Sequence, residues 1–170
     1  MHLLILGPTG SGKSTLTQQL VSRIRRSGIK VLVYAKRDIE RWQACADFVT
    51  ADRETFLSIL ARPGTRGCFV VLDDAGNTVG WKDKELEGTA TEGRHDGHTF
   101  VYIAQAAAQL NKIVRRNCSK LITFKQSVGD CDILARDFCQ PALAQAAGLQ
   151  RFEYLECETY GQVKKGKVQL

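Results

Sequence analysis

A chain of 170 residues with 44% hydrophobic content is long enough to bury one core and too short for two full domains, so residues 1–170 read as a single domain. The formal charge of +6 and pI near 9.1 favour an anionic partner, nucleic acid first. With no signal peptide and no apolar run near the ~18 residues a span needs, no membrane anchor is expected; six scattered cysteines without a C-x-x-C pair read as buried thiols in a reducing cytoplasm.

Residues 2–6 are a short continuous apolar run that suits a buried parallel strand. After a glycine-rich stretch, residues 14–26 carry Leu16, Leu20, Val21 and Ile24 at helical spacing, with Gly28 as the stop. Residues 30–35 (KVLVYA) are a second strand, 38–47 a helix, 48–49 a short strand, and 53–61 a helix ended before Pro63-Gly64. Further apolar strands are predicted at 68–72 (CFVVL), 99–104 (TFVYIA) and 121–124 (LITF), with a helix over 106–116. Strands too apolar to have a wet face, alternating with helices, predict an α/β fold: a mostly parallel central sheet flanked by helices. Residues 151–158 and 162–168 alternate in character around Tyr160-Gly161 and predict a C-terminal β-hairpin over about 151–169.

Residues 7–14, GPTGSGKS, match G-x-x-x-x-G-K-[ST] between a strand and a helix, the context that motif requires. The nucleotide-binding segment is therefore Gly7, Pro8, Thr9, Gly10, Ser11, Gly12, Lys13, Ser14 and Thr15. Its glycines allow a backbone path that turns several N–H groups on a β-phosphate, and the helix beginning near Lys13 adds its positive end. Lys13 reaches the β/γ oxygens and Ser14 ligates Mg²⁺, so ATP with Mg²⁺ is the expected ligand.

The strand FVVL ends in Asp73 and Asp74. In a parallel sheet that end lies beside the phosphate loop, which puts Asp73 in the outer sphere of Mg²⁺ or in touch with the metal through water and makes Asp74 the base or orienter of the attacking water. Adjacent acids suit water activation; a kinase would need an acceptor pocket and a closing lid, and no arginine-rich lid stands out.

Residues 76–98 read as a long polar loop. Trp81, beside Lys82 and Lys84, either stacks on a nucleic-acid strand or anchors the loop to the core. Arg94 lies at the domain rim as an arginine that enters a neighbour's active site, or as a surface ion pair. His95 and His98 have metal-like spacing but no helix to align them, and are not assigned to a metal. Gln105, a polar residue ending an apolar strand, is placed to sense the γ-phosphate or hold the attacking water. Lys112, Arg115 and Arg116 are expected on one helical face, opposite Leu110, Ile113 and Val114, either touching phosphates or a neighbouring subunit or simply solvated.

With GPTGSGKS, FVVLDD and GRHDGHTFVYIAQ followed by IVRRN and LITFK, residues 3–125 resemble the FtsK/HerA superfamily of DNA-translocating ATPases, its viral genome-packaging branch in particular. The resemblance implies a homo-oligomeric ring, pentamer or hexamer, around double-stranded DNA, ATP hydrolysis in each pocket, a sensing role for Gln105, and an arginine supplied across the interface, with Arg94 preferred over Arg62, Arg66 and Arg116. It implies a location in the host cytoplasm or on the virion at a packaging vertex. Two departures stand out: D-D replaces the D-E of many relatives, and without DNA-guiding or nuclease domains the chain would be a minimal motor that borrows those parts from partners such as capsid or portal vertex proteins. A filamentous-phage assembly or DNA-transfer ATPase ranks lower, because such proteins normally carry a membrane anchor. A nucleotide-gated switch with little turnover and a small-molecule kinase are the readings from other classes.

Overall fold

The computed structural model describes residues 1–62, 65–78, 84–93, 95–159 and 161–169. Among them eight strands, β1 (Leu3–Leu6), β2 (Val31–Tyr34), β3 (Phe48–Thr50), β4 (Phe69–Leu72), β5 (Thr99–Ala104), β6 (Lys120–Thr123), β7 (Glu153–Glu158) and β8 (Lys164–Lys167), form one sheet in the order β3-β2-β4-β5-β1-β6-β7-β8. From β3 to β6 every pairing is parallel, while β7 and β8 add on antiparallel. The C-terminal hairpin therefore extends the main sheet through β6.

Alternate residues of each parallel strand enter opposite cores, as the period of two requires. Leu3, Ile5, Val33, Val71, Val101 and Ile103 face α1 (Lys13–Arg26) and α2 (Ile39–Gln43). Leu4, Leu6, Tyr34, Leu72 and Tyr102 face the other layer, built from α3 (Arg53–Leu60), α4 (Ala75–Thr78), α5 (Lys84–Thr91), α6 (Lys112–Asn117) and α7 (Val128–Asp137). Both faces of the sheet are covered, which is why its strands read as unbroken apolar runs.

Several expectations need correction. Only Ile39–Gln43 of residues 38–47 is helical. The helix expected over 106–116 is two pieces, a 3₁₀ turn at Ala107–Gln109 and α6, because Asn111 stops the first and caps the second by accepting from the Ile113 amide at 2.9 Å. Residues 76–98 are not one long loop: α4 and α5 occupy much of the segment, and Leu86, Thr89 and Ala90 bury one face of α5 despite Gly88. The expected basic stripe on α6 does not exist either. Arg115 turns inward, donating to Asp137 at 2.7 Å and to the Ala107 and Leu110 carbonyls, while Ile113 is exposed.

No helix among the described residues is long and apolar enough to cross a membrane. Because β1 to β6 run parallel, their carboxyl ends share one edge of the sheet, where open α/β sheets collect ligands.

Candidate nucleotide site

The turn between β1 and α1 occupies that edge. The Gly7 amide donates to the Ala104 carbonyl at 3.2 Å, carrying the β1–β5 ladder one residue further before the chain turns. Gly7 has no room for a side chain, since a Cβ would lie 2.6 Å from Phe124 Cβ and 2.9 Å from Ser11 Oγ. Gly12, at φ 104°, is in the left-handed region that favours glycine and starts α1, with the Leu16 amide donating to its carbonyl at 2.9 Å. The first turn of α1 holds no acid and its last turn holds Arg23, Arg25 and Arg26, so the positive end of the helix dipole is left to an outside anion.

Lys13 folds back over the loop, donating to the Gly7 carbonyl at 2.5 Å and the Pro8 carbonyl at 2.8 Å. Burial pushes its ammonium pKa below the usual lysine value, against the opposing pull of Asp73 and Asp74. The Ser11 hydroxyl is buried without a hydrogen-bond partner among the described residues, and Ser14 is half-buried in the first turn of the helix. A glycine cradle, unopposed helix N-terminus, half-buried lysine and orphaned hydroxyl fit a phosphate chain. Thr15 faces the other way, into a groove between α1 and α2.

Sheet order corrects the expected neighbourhood of the acidic pair. β5 lies between β1 and β4, so Gln105 is the sheet neighbour of the loop and the acids stand one strand further out. The Asp73 amide donates to the Tyr34 carbonyl at 2.9 Å, and its carboxylate accepts from the Trp42 indole at 2.9 Å and the Asp74 amide at 3.0 Å. Burial raises the Asp73 pKa while those two donors pull it back. Asp74 has φ 56°, outside ordinary strand geometry, and both its carboxylate oxygens accept from the Asn77 amide, at 3.0 and 2.9 Å. Its backbone thus leaves the strand where its side chain must present itself at the edge.

Gln105 has its backbone pinned from two sides. Gln109 Oε1 accepts from the Gln105 and Ala106 amides at 3.2 and 3.3 Å, and Gln126 Nε2 donates to the Gln105 carbonyl at 3.0 Å. Its own side-chain amide is exposed and unpartnered among the described residues. Gln109 also packs on Gly76, where a Cβ would lie 2.8 Å from Gln109 Oε1, tying the end of β5 to the turn after the acids.

Trp42, Asn77, Gln109 and Gln126 were missed by sequence reasoning, because each acts through a partner distant in the chain or in an unrecognised helix. Arg94, Trp81 and Lys82 lie outside the described residues, and Lys84 opens α5, exposed. Of the other arginines weighed as a transferred finger, Arg116 is paired to Asp137 at 3.1 Å, and Arg62 and Arg66 are exposed in the connection that enters β4 at its amino end. His98 is buried with its Nδ1 accepting from the Cys68 amide, while His95 is exposed.

Residues 2–78, which hold the phosphate loop and both acids, match a family described as "AAA domain (dynein-related subfamily)". No curated protein matches the sequence. Among solved structures, the DNA-packaging ATPase B204 of Sulfolobus turreted icosahedral virus superposes with a TM-score of 0.82 at 16% identity, over 98% of this chain and 96% of that one. The chain shares its fold. The genome packaging NTPase B204 of Sulfolobus turreted icosahedral virus 2 in complex with ATP-gammaS gives 0.79 at 17% identity over 99% and 97% of the two chains. VirB4 of Thermoanaerobacter pseudethanolicus gives 0.74 at 10% identity over 99% and 89%. The mostly parallel sheet flanked by helices and closed by an antiparallel hairpin is thus a P-loop NTPase fold.

Proposed function

We propose that this chain is an ATPase that hydrolyses ATP to translocate double-stranded DNA, packaging a viral genome into a capsid. The observation that carries the reading is the sequence of functions along one sheet edge: phosphate loop on β1, Gln105 on β5, Asp73 and Asp74 on β4. That order lays a phosphate chain at the loop with an amide and two carboxylates facing its far end. Lys13 releases the Gly7 and Pro8 carbonyls to bind β/γ oxygens, Gln105 positions the attacking water, and Asp74 takes its proton. Ser14 and Asp73 are the residues that would hold Mg²⁺, which supplies charge neutralisation on the phosphates.

Support for packaging over other motor tasks comes from the similarity to packaging NTPases along almost the whole length of both chains. Support for an anionic track comes from charge layout. Residues 1–50 carry eight lysines and arginines against three acids, and Arg23, Arg26 and Arg41 line the groove between α1 and α2 with no acid among its walls. In this reading the chain works as one domain in a ring of five or six copies, takes an arginine from its neighbour, docks on capsid or portal vertex proteins, and acts in the host cytoplasm or at the virion vertex.

The test is ATPase rate against added double-stranded DNA across salt concentrations, with Lys13→Ala as the blank. Salt-sensitive stimulation is the expected result; a rate indifferent to DNA sinks the translocase. A nucleotide-gated switch with little turnover is the second reading, and the capture of both Asp74 oxygens by Asn77 favours it. Asp74→Asn separates the two: a hydrolase keeps nucleotide binding and loses about a hundredfold or more in turnover, whereas a switch loses nothing measurable.

A further inference from the structure

A second feature of the loop lies on its opposite flank. β1 has β5 on one side and β6 on the other, so a nucleotide whose terminal phosphate faces β5 and β4 extends its remaining end toward β6. There a cleft of about 310 Å³ opens between residues 8–11 of the loop and the turn at 149–151, with Phe124 and Lys125 beneath it. Its size is at the lower end of the roughly 300–1,000 Å³ typical of small-molecule pockets. Buried Phe124 and Leu149 give it apolar surface, and exposed Lys125, Gln150 and Arg151 rim it.

Arg151 is unusually well placed for an exposed residue. Its guanidinium carbon lies 4.7 Å from the centre of the Phe152 ring, and its Nε donates to the Gly10 carbonyl at 3.4 Å. Phe152 has φ 69°, a conformation bulky residues adopt only where their surroundings hold it. Those surroundings are visible: the Val168 amide donates to the Phe152 carbonyl at 2.9 Å, and a Cβ on Gly12 would lie 3.1 Å from Phe152 Cδ1. The ring is wedged between the phosphate loop and β8, and a planar cation is stacked on it at the mouth of the cleft.

We propose that this cleft is the base-and-ribose subsite of the nucleotide and that Arg151 is its base-stacking residue, offering the free face of its guanidinium to a planar aromatic base. The proposal rests on the phosphate-loop reading above. Arginine stacks on aromatic planes through a delocalised, weakly hydrated fork that lysine lacks. Arg151 thereby holds the base while the loop holds the phosphates.

The test compares ATP with inorganic tripolyphosphate, which has the phosphates and no base, by equilibrium binding to the full chain with Mg²⁺. Arg151→Ala is expected to weaken ATP binding about tenfold and to leave tripolyphosphate binding within about twofold. Arg151→Lys, which keeps the charge and loses the plane, should follow Arg151→Ala. Equal losses for both ligands would assign Arg151 to the phosphates and overturn the subsite, as would unchanged ATP affinity in Arg151→Ala. Failure of the underlying reading looks different: Lys13→Ala would then bind tripolyphosphate as wild type does, or wild type would bind neither ligand.

Discussion

The indole N–H of Trp42 donates to Asp73 Oδ2 at 2.9 Å, joining a side chain on α2 to the carboxylate that ends β4. Trp42 is almost wholly buried, so this bond is shielded from water and fixes which way the carboxylate points. The Asp74 amide holds the other oxygen. Together they hold both oxygens of a half-buried carboxylate whose charge burial disfavours.

Trp42→Phe keeps a ring in the core and removes the donor. The variant should lose about 2 kcal/mol of stability, and the Mg²⁺ concentration needed for half-maximal nucleotide binding should rise about tenfold or more. Titrating Mg²⁺ against a fluorescent ATP analogue, alongside a denaturant melt, checks both. Lost stability with an unchanged Mg²⁺ requirement would make Trp42 a packing residue only.

The depressed pKa of Lys13 gives a pH dependence with a definite sign. Between the folded-state pKa and the ordinary value of 10.5 the unfolded chain binds more protons than the folded one, so stability gains as pH rises through that window. Lys13→Met lacks the titrating group. In nucleotide-free melts the wild-type Tm should therefore climb relative to that of Lys13→Met from neutral pH toward about pH 10. A gap that does not move with pH would mean that Lys13 is solvated like a free lysine.

Arg115 and Asp137 form a pair with side chains only 10% and 5% exposed, and Arg116 adds a second contact to the same carboxylate from an exposed position. Removing the acid strands a buried guanidinium, so Asp137→Ala should cost about 3–5 kcal/mol. Arg116→Ala should cost less than about 1 kcal/mol and leave ATP turnover unchanged. Chemical denaturation of the two variants tests the contrast, and a large loss of turnover in Arg116→Ala would return that residue to the list of transferred arginines.

Local geometry set by adjacent residues was legible in the sequence, and contacts between chain-distant partners were not. GPTGSGKS and FVVLDD place their residues by local geometry alone, and continuous apolar runs announced the parallel sheet because both its faces are covered. Periodicity says nothing of strand order, however, so the insertion of β5 between loop and acids, which makes Gln105 the nearer neighbour, emerged only from the pairings. Arg115 was misread as part of an exposed stripe because its partner, Asp137, sits on α7, in a region where no helix was expected. Gly88 hid α5 in the same way: a helix that buries Leu86 and Ala90 tolerates a glycine that propensity alone would count against it.

The Arg94 proposal makes the most demanding prediction. Arg94 lies outside the described residues; Gly93 and His95 belong to the connection that enters β5 at Thr99, at the amino edge of the sheet, whereas the phosphate loop follows the carboxyl end of β1. A strand of six residues spans roughly 20 Å, so a side chain acting from that edge would serve a phosphate most readily on a neighbouring subunit. Arg94→Ala and Lys13→Ala should each abolish turnover alone, the first by a factor of about a thousand or more. In mixed assemblies a pocket with intact Lys13 can meet a neighbour with intact Arg94, so activity should reappear and pass through a maximum as the mixing ratio is varied. Recovery at intermediate ratios requires both a shared interface and action in trans; flat, absent activity at every ratio would remove Arg94 from the mechanism and leave Arg62 and Arg66 as the arginines to test next.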